Sequence, residues 1–325
     1  MTSILTAPYV DTSDAPIVRT LLYNLIIVST TSTKQAYYVE LANQVAAEIP
    51  GRIIILTLDS NEASPGSRVF CSIATDGKRT FCGEVITIIM DSDPTGLPGK
   101  VFPLLAPDLP VYSLSEDNVK LDWLDNIADI DIIDDCVGKN NIASTKNTVD
   151  MTWLRLGAWM KAIIRTFDNV NAPDMIADLE DILISTEKNV SDDRIANPML
   201  LAAWIADCLD PNAGLIEQSE NARLLLNIDS RQIPLKIEHQ KLSSSISCVR
   251  SVAFRFSGQR GISEILIEQE SDKLCITSTP MDFMQSLSPE PVIPDGLMLA
   301  REIGNESMLH RYSAITRFAV QIGLK

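Results

Sequence analysis

The sequence predicts an α/β fold with an N-terminal α/β domain, whose sheet is largely parallel with one hairpin, and a C-terminal α+β domain with an antiparallel sheet. Three observations predict this fold class. The first half of the chain alternates short β-branched apolar runs with helical patterns, as in β-α-β units. The second half carries strand-like runs that follow one another closely, as in a meander. The length of 325 residues suits two domains of about 100 to 200 residues each.

The first half opens with a predicted β-α-β unit. Residues 21–28 and 52–58 are apolar runs, short and rich in β-branched residues, so each predicts a buried strand. Between them, apolar residues recur at helical spacing from Tyr38 to Ile49. Pro50-Gly51 ends this helix, because proline cannot continue it.

A β-hairpin is predicted next. Asp76-Gly77 separates strands over 68–75 and 78–90, and this pair suits a two-residue turn whose central positions need φ > 0. With that turn, Cys71 and Cys82 face each other with Cα atoms about 4.5 to 5.5 Å apart, a separation that a disulfide tolerates. The two cysteines are either a candidate redox pair or two buried structural thiols, and a reducing compartment favours the thiols.

Shorter elements complete the first domain, and a helix after Asp150 closes it. Asp150 is the predicted N-cap, and Trp153, Leu156, Met160 and Phe167 share one face of the helix. The preceding elements are a helix over 97–106, a strand over 109–114, a helix over 121–128 and a strand over 130–133.

The polar segment 169–174 is the predicted boundary, so the domains span residues 1–170 and 171–325. Beyond it, Asn197-Pro198 predicts the start of a helix that runs to residue 209, because asparagine caps helices and proline suits their first turn. The other predicted elements of the second domain are a helix over 174–184, strands over 222–228, 235–239, 248–256, 262–269 and 273–278, and helices over 297–303 and 306–322.

The charge of the chain argues against a nucleic-acid binder. Asp and Glu number 43 against 27 Lys and Arg, a formal net charge of −16, whereas phosphate recognition needs clustered basic residues. Residues 116–135 and 168–193 hold the acidic excess. No apolar run reaches the roughly 18 to 20 residues of a membrane span, and residues 1–9 lack the basic residues of a secretory signal. A soluble, cytoplasmic protein is therefore expected.

The usual catalytic templates are not found in the sequence. It has no G-x-x-x-x-G-K-[ST], and residues 29–33 read Ser-Thr-Thr-Ser-Thr where a dinucleotide-binding turn carries glycines. That turn either caps the helix or holds a phosphate. Neither His239 nor His310 neighbours a G-x-S-x-G turn, and the six cysteines lack zinc-site spacing. We therefore assign no catalytic residue, no cofactor and no metal site.

Two groups of residues leave alternatives open. Asp131, Asp134 and Asp135 follow a predicted strand and are either magnesium ligands or part of a solvated acidic face.

The second group is aromatic. Trp153 and Trp159 are six residues apart and cannot share one face of a helix, so one is expected in the core. The other is either exposed beside Arg155 and Lys161, as in a protein interface, or laid over a neighbouring helix.

Several stretches of the chain form a recognisable combination. The two most specific are Leu105-Ala106-Pro107-Asp108-Leu109-Pro110-Val111 and the D-x-x-W-x-R-L-x-x-W element from Asp150 to Trp159. Arg19-Thr20 with residues 24–28, residues 51–55, and residues 82–87 (Cys-Gly-Glu-Val-Ile-Thr) accompany them. Together these stretches resemble the OpcA family, the glucose-6-phosphate dehydrogenase assembly proteins.

This resemblance implies a protein without catalytic activity that binds glucose-6-phosphate dehydrogenase and favours its active oligomer, under redox control in some members. The candidate partner interface consists of Tyr112, Trp153, Arg155 and Trp159. Many members carry aromatic residues, including tryptophan, where this chain has Tyr112-Ser113-Leu114. The residues leave two alternatives: an enzyme or sensor that binds a sugar phosphate or nucleotide at the C-terminal edge of the first sheet, and a scaffold for another partner.

Overall fold

A computed structural model describes sixteen ranges of the chain. The chain divides into two compact units, Met1–Tyr112 and Ser113–Lys325. The described ranges are 17–18, 21–29, 34–58, 66–76, 79–90, 96–116, 121–134, 147–168, 172–188, 197–210, 214–217, 223–228, 230–239, 247–257, 262–279 and 289–321.

The first unit combines a sheet with helices. Its helices are α1 (Gln35–Glu48) and α2 (Leu97–Val101), the second continued by a 3-10 turn at Phe102–Leu104. Its strands are β1 (Ile17–Val18), β2 (Asn24–Ser29), β3 (Arg52–Leu58), β4 (Gly66–Asp76), β5 (Arg79–Met90) and the start of β6 (Val111–Glu116), within which the unit boundary falls.

The sheet of the first unit is parallel where it is most deeply buried. The strand order is β1-β5-β3-β2-β6, with β4 paired to β5. The β2–β3, β3–β5 and β1–β5 pairs are parallel, whereas β4 and β5 form an antiparallel hairpin. Residues 25–28 and 53–56 are fully buried, as continuous apolar strands are in a sheet covered on both faces. The predicted parallel sheet with a hairpin is confirmed.

A buried asparagine fixes the loop that leads into β6. The Asn24 side-chain amide donates to the carbonyl of Ala106 at 3.0 Å, and its oxygen accepts the N–H of Ala106 at 2.8 Å. Asp108 has φ 61°, a left-handed conformation that Asp adopts more readily than most residues. The segment from Leu105 to Val111, the L-x-P-D-L-P-V element, is therefore a structural loop held against β2.

We expect Asn24→Ala to lower the free energy of unfolding by about 1 to 3 kcal/mol, because it leaves the Ala106 N–H and carbonyl buried without these partners. Urea denaturation measures the change. The control is Gln44→Ala: Gln44 donates to Glu40 at 3.0 Å on an exposed surface, and its loss should cost no more than about 0.5 kcal/mol. Equal losses in the two variants would contradict the role of Asn24.

The second unit contains a second sheet and the remaining helices. The helices are α3 (Asp122–Ile127), α4 (Met151–Arg155), α5 (Gly157–Asp168), α6 (Ala172–Ala177), α7 (Pro198–Leu209), α8 (Asp295–Glu302) and α9 (Glu306–Gln321). The strands after β6 are β7 (Ile130–Asp134), β8 (Thr148–Asp150), β9 (Leu179–Lys188), β10 (Gly214–Glu217), β11 (Arg223–Ile228), β12 (Arg231–His239), β13 (Ser247–Phe256), β14 (Glu264–Glu270), β15 (Lys273–Thr279) and β16 (Glu290–Pro291).

The sheet of the C-terminal half has the order β10-β11-β12-β9-β13-β14-β15-β16. Its strands pair antiparallel, except that β12 and β9 are parallel. The α+β character predicted for this half is confirmed, with a mixed sheet in place of a purely antiparallel one.

The centre of this sheet is a strand that the sequence analysis assigned to a helix. The helix predicted over 174–184 is wrong beyond Ala177, because β9 begins at Leu179 and lies between β12 and β13. Ile182, Ile184 and Thr186 are buried while the residues between them are partly exposed. This period of two is that of a strand, but so short an apolar run cannot be distinguished from a helix without its neighbours.

The helix predicted after Asp150 is divided in two. Asp150 caps α4 as predicted, since its Oδ1 accepts the N–H of Thr152 at 2.8 Å. Leu156 then forms a buried turn between α4 and α5. Because α5 packs on β15 and β16, this segment lies in the same compact unit as the C-terminal sheet. The domain boundary near residue 170 does not coincide with the unit boundary and stays a prediction.

The start of α7 follows the prediction. The Asn197 side chain accepts the N–H groups of Met199 and Leu200 at 2.9 and 3.3 Å, and Pro198 is the first helical residue. Within the described ranges, none of the helices is both long enough and apolar enough to cross a membrane.

Candidate functional site

Arg155 forms a buried ion-pair cluster with two aspartates. Arg155 ends α4, Asp134 ends β7 and Asp295 begins α8. Nη1 and Nη2 of Arg155 donate to Oδ1 and Oδ2 of Asp134 at 2.8 and 3.1 Å. Nη2 also donates to Oδ2 of Asp295 at 2.8 Å. The side chains of Arg155, Asp134 and Asp295 are 5%, 9% and 7% exposed, so the cluster is shielded from solvent and joins three elements.

The electrostatics of this cluster are those of a structural site. Burial alone would lower the pKa of Arg155, but attraction and hydrogen bonds to Asp134 and Asp295 raise that pKa well above its ordinary value. The guanidinium therefore stays charged. Desolvation offsets much of the attraction in a buried ion pair, whereas removal of one partner leaves an uncompensated charge at a high cost. Arg155 thus holds β7, α4 and α8 together.

The tryptophans of the same segment are buried beside the cluster. The Trp153 ring lies 6.1 Å from that of Tyr312 on α9, with 52° between the ring planes. Trp153 is 6% exposed and Trp159 2%. Neither tryptophan is exposed, and Trp153 contacts α9, as in the alternative of a tryptophan laid over a neighbouring helix. The turn at Leu156 interrupts the helical phase between the two residues, so both can be buried.

A groove of about 460 Å³ lies next to these residues in the second unit. Its floor includes the buried side chains of Trp153, Trp159 and Ile315, and Trp204 of α7 contributes a third indole. Its rim carries exposed side chains from α5, α8 and α9, among them Lys161, Ile164, Arg301 and Arg311. We call this feature the Trp153 groove.

The four residues of the candidate partner interface are divided between the two units. Trp153, Arg155 and Trp159 line the Trp153 groove, whereas Tyr112 packs against Tyr23 in the first unit, with ring centroids 6.3 Å apart. All four are buried. Little of their surface is left for a partner in this conformation, and their role as an interface stays a prediction.

The two cysteines of the candidate redox pair are not directly opposed. In the β4–β5 register, Cys71 faces Glu84 and Cys82 faces Ile73. Asp76 extends β4 and pairs with Arg79, so the connection is displaced by one residue from the predicted Asp76-Gly77 turn. The cysteines are diagonal neighbours, a relation in which residues are typically about 7 to 8 Å apart. Their side chains lie outside the described residues. The redox pair stays a prediction, but the direct opposition on which it was based is not found.

The carboxylates considered as magnesium ligands have other partners. Asp131 accepts a hydrogen bond from Ser113 Oγ at 2.6 Å, and Asp134 is paired with Arg155. Asp135 lies outside the described residues. The described ranges contain no group of three or more His, Cys, Asp or Glu side chains able to hold a metal ion.

The phosphate-binding alternative at the C-terminal edge of the first sheet falls mostly on residues that are not described. Ser29 ends β2 and is buried, but residues 30–33 and 59–65, which follow β2 and β3, lie outside the described ranges.

Asp295 is the member of the cluster that the sequence analysis missed. It lies 140 residues beyond Arg155, and no periodicity or motif connects positions so far apart. Its one local signal is an acidic residue two positions before the helix predicted over 297–303, which is commonly explained by the helix dipole alone.

The fold and the cluster define a two-unit α/β protein. Two of its sequence motifs serve packing: the loop from Leu105 to Val111, which Asn24 holds, and the element from Asp150 to Trp159, which contains Arg155. A family model described as "Glucose-6-phosphate dehydrogenase subunit N-terminal domain" matches residues 42–147. Residues 42–147 thus match a domain of the OpcA family, and the resemblance is confirmed over this range. The match includes the L-x-P-D-L-P-V loop and ends before Asp150.

Two solved structures are similar in outline. The "probable oxidoreductase yhhX" has a TM-score of 0.45 and 8% identity, covering 94% of this chain and 97% of its own. The "putative oxidoreductase yvaA" from Bacillus subtilis has a TM-score of 0.39 and 9% identity, covering 93% and 97%. At these scores neither likeness carries an argument about function. No curated protein matches the sequence.

Proposed function

We propose that this protein binds a glucose-6-phosphate dehydrogenase and favours its active oligomer, without catalysing a reaction itself. The family match over residues 42–147 is the observation that carries the proposal. It is supported by the structural use of the motif residues, since Asn24 holds a loop and Arg155 holds three elements together. These residues stabilise a shape, which is what a protein that acts through a surface requires.

The mechanism is a shift of the partner's oligomeric equilibrium. A ligand shifts such an equilibrium only through different affinities for the two states. An enzyme that is about 10% in its active oligomer becomes about half active when the bound activator prefers that oligomer tenfold, which corresponds to about 1.4 kcal/mol. A modest preference therefore suffices for activation.

The direct experiment mixes the purified chain with the glucose-6-phosphate dehydrogenase of the same organism. We expect a complex in light scattering, a shift of the dehydrogenase towards its larger active form, and a higher turnover at fixed enzyme concentration. The chain alone should turn over neither glucose 6-phosphate nor NADP. Absence of both a complex and an increase in turnover would overturn the proposal, as would turnover by the chain alone.

The acidic segment 116–135 supplies a charge that suits a basic surface on the partner. Asp122 on α3 and Asp129 before β7 are exposed. Charges of this kind mainly affect encounter and specificity. The salt dependence of activation therefore reports whether they take part.

We expect Asp122→Lys/Asp129→Lys to lower the apparent affinity for the dehydrogenase by about threefold or more at low salt. The difference should vanish near 1 M NaCl, where the Debye length is about 3 Å. The control Glu48→Lys/Asp272→Lys makes the same change in net charge at exposed positions outside the two acidic segments. Equal effects of the two double variants would mean that only the net charge of the chain matters, and would contradict a specific role of the acidic segment.

A further inference from the structure

We propose that the Trp153 groove binds a small aromatic anion, a planar apolar molecule with one carboxylate, sulfonate or phosphate group. Its volume of about 460 Å³ lies within the roughly 300 to 1,000 Å³ of small-molecule sites. The site is separate from the surface charges invoked for partner binding, and the inference does not depend on the proposed function.

The floor of the groove suits an aromatic body. Of the four tryptophans in the chain, Trp153, Trp159 and Trp204 line it. Trp204 is half-buried and offers the most accessible ring surface, whereas Trp153 and Trp159 are 6% and 2% exposed. Trp153 is held by Tyr312, and beneath it Arg155 is locked by two aspartates, so this part of the floor is formed without a ligand. Rigid indoles gain from offset-stacked or edge-to-face contacts with an aromatic ring beyond simple burial.

The rim of the groove suits a negative charge. It carries the cations Lys161, Arg301 and Arg311 against the acids Asp207 and Glu302. Within the described ranges, Lys161 and Arg301 have no ion-pair partner, whereas Arg311 lies 3.5 Å from Glu302 with 60% of its side chain exposed. An exposed pair of this kind contributes little and can rearrange. The rim thus has a cationic excess in a chain whose net charge is −16.

The lining of the groove suits a small molecule. Besides the buried Trp153, Trp159 and Ile315, it includes the half-buried Trp204 and exposed side chains of α5, α8 and α9. Small-molecule sites are concave and mostly apolar, with a few charged groups that orient the ligand. Arg155 does not supply that charge, since Asp134 and Asp295 already neutralise it.

The test uses 8-anilinonaphthalene-1-sulfonate (ANS), an aromatic anion, and N-phenyl-1-naphthylamine, its neutral analogue. We expect one ANS molecule per chain, detected by its own emission and by quenching of tryptophan fluorescence. Ala314→Trp fills the groove from its exposed rim and should weaken ANS binding by about tenfold or more. The control Ala47→Trp, at an exposed alanine of α1, should leave it unchanged. Ile164→Trp is the second filling variant should Ala314→Trp unfold.

The charge is tested by Lys161→Glu/Arg301→Glu, which should weaken ANS binding about tenfold and binding of the neutral analogue less than about twofold. The control Lys100→Glu/Arg317→Glu changes the net charge equally outside the groove and should affect neither dye. Aromatic carboxylates and nucleotides are then tested as competitors, and displacement by one of them is the expected result. ANS binding that survives both filling variants would overturn the proposal. So would displacement by the dehydrogenase but by none of the small anions, which would make the groove a protein contact.

Discussion

Replacement of Arg155 by methionine is expected to lower the free energy of unfolding by about 3 to 5 kcal/mol, because it leaves two buried carboxylates without their cation. Asp134 and Asp295 are 9% and 7% exposed and both contact the guanidinium. Urea or thermal denaturation at neutral pH measures the loss.

Two further variants separate the buried charge from the loss of a side chain. Arg165→Met removes the ion pair with Glu290, in which Arg165 is 38% exposed, and should cost at most about 1 kcal/mol. Arg155→Met/Asp134→Asn/Asp295→Asn removes all three charges and should recover part of the loss, because no buried ion is left unpaired. A loss for Arg155→Met no larger than that for Arg165→Met would contradict the structural role of the cluster.

The second large effect is expected at Gly51. A Cβ at this position would lie 2.2 Å from the Tyr23 ring. Tyr23 is 1% exposed, and its hydroxyl donates to the carbonyl of Ile49 at 3.3 Å, so the ring has little room to move. We expect Gly51→Ala to lower the free energy of unfolding by about 3 kcal/mol, at the upper end of the cost of overpacking.

The matched control is Gly157→Ala at the start of α5, where a Cβ would meet no atom within 4 Å. That change should be neutral or stabilise the protein by up to about 1 kcal/mol, because alanine favours the helix more than glycine does. Denaturation of both variants tests the contrast. If Gly51→Ala has the same free energy of unfolding as the wild type, the close approach to Tyr23 does not constrain this position.

Local sequence was sufficient to predict elements that have a long apolar pattern or a clear capping signal at one end. The strand over 52–58, the helix that begins at Asn197-Pro198 and the cap at Asp150 appear where they were predicted. In each case the signal is a continuous β-branched run or a capping side chain, and its partners are only a few residues away. The family resemblance belongs with them, since it rests on contiguous residues.

Predictions that needed a distant partner were the ones that failed. The segment from Leu179 became a strand because β12 and β13 lie on either side of it. The hairpin register shifted by two residues, since Asp76 pairs with Arg79 and Cys71 pairs with Glu84. This shift separates two cysteines that the turn sequence placed opposite each other.

By itself, the sequence determined the α/β and α+β halves, the net negative charge and the resemblance to the OpcA family, because periodicity, composition and short motifs are properties of neighbouring residues. Only the tertiary structure decided that Arg155 is neutralised by Asp134 and Asp295 and that three tryptophans line one groove. Those residues come from β7, α4, α5, α7 and α8. Their proximity depends on how helices pack on a sheet, and no local pattern in the chain encodes it.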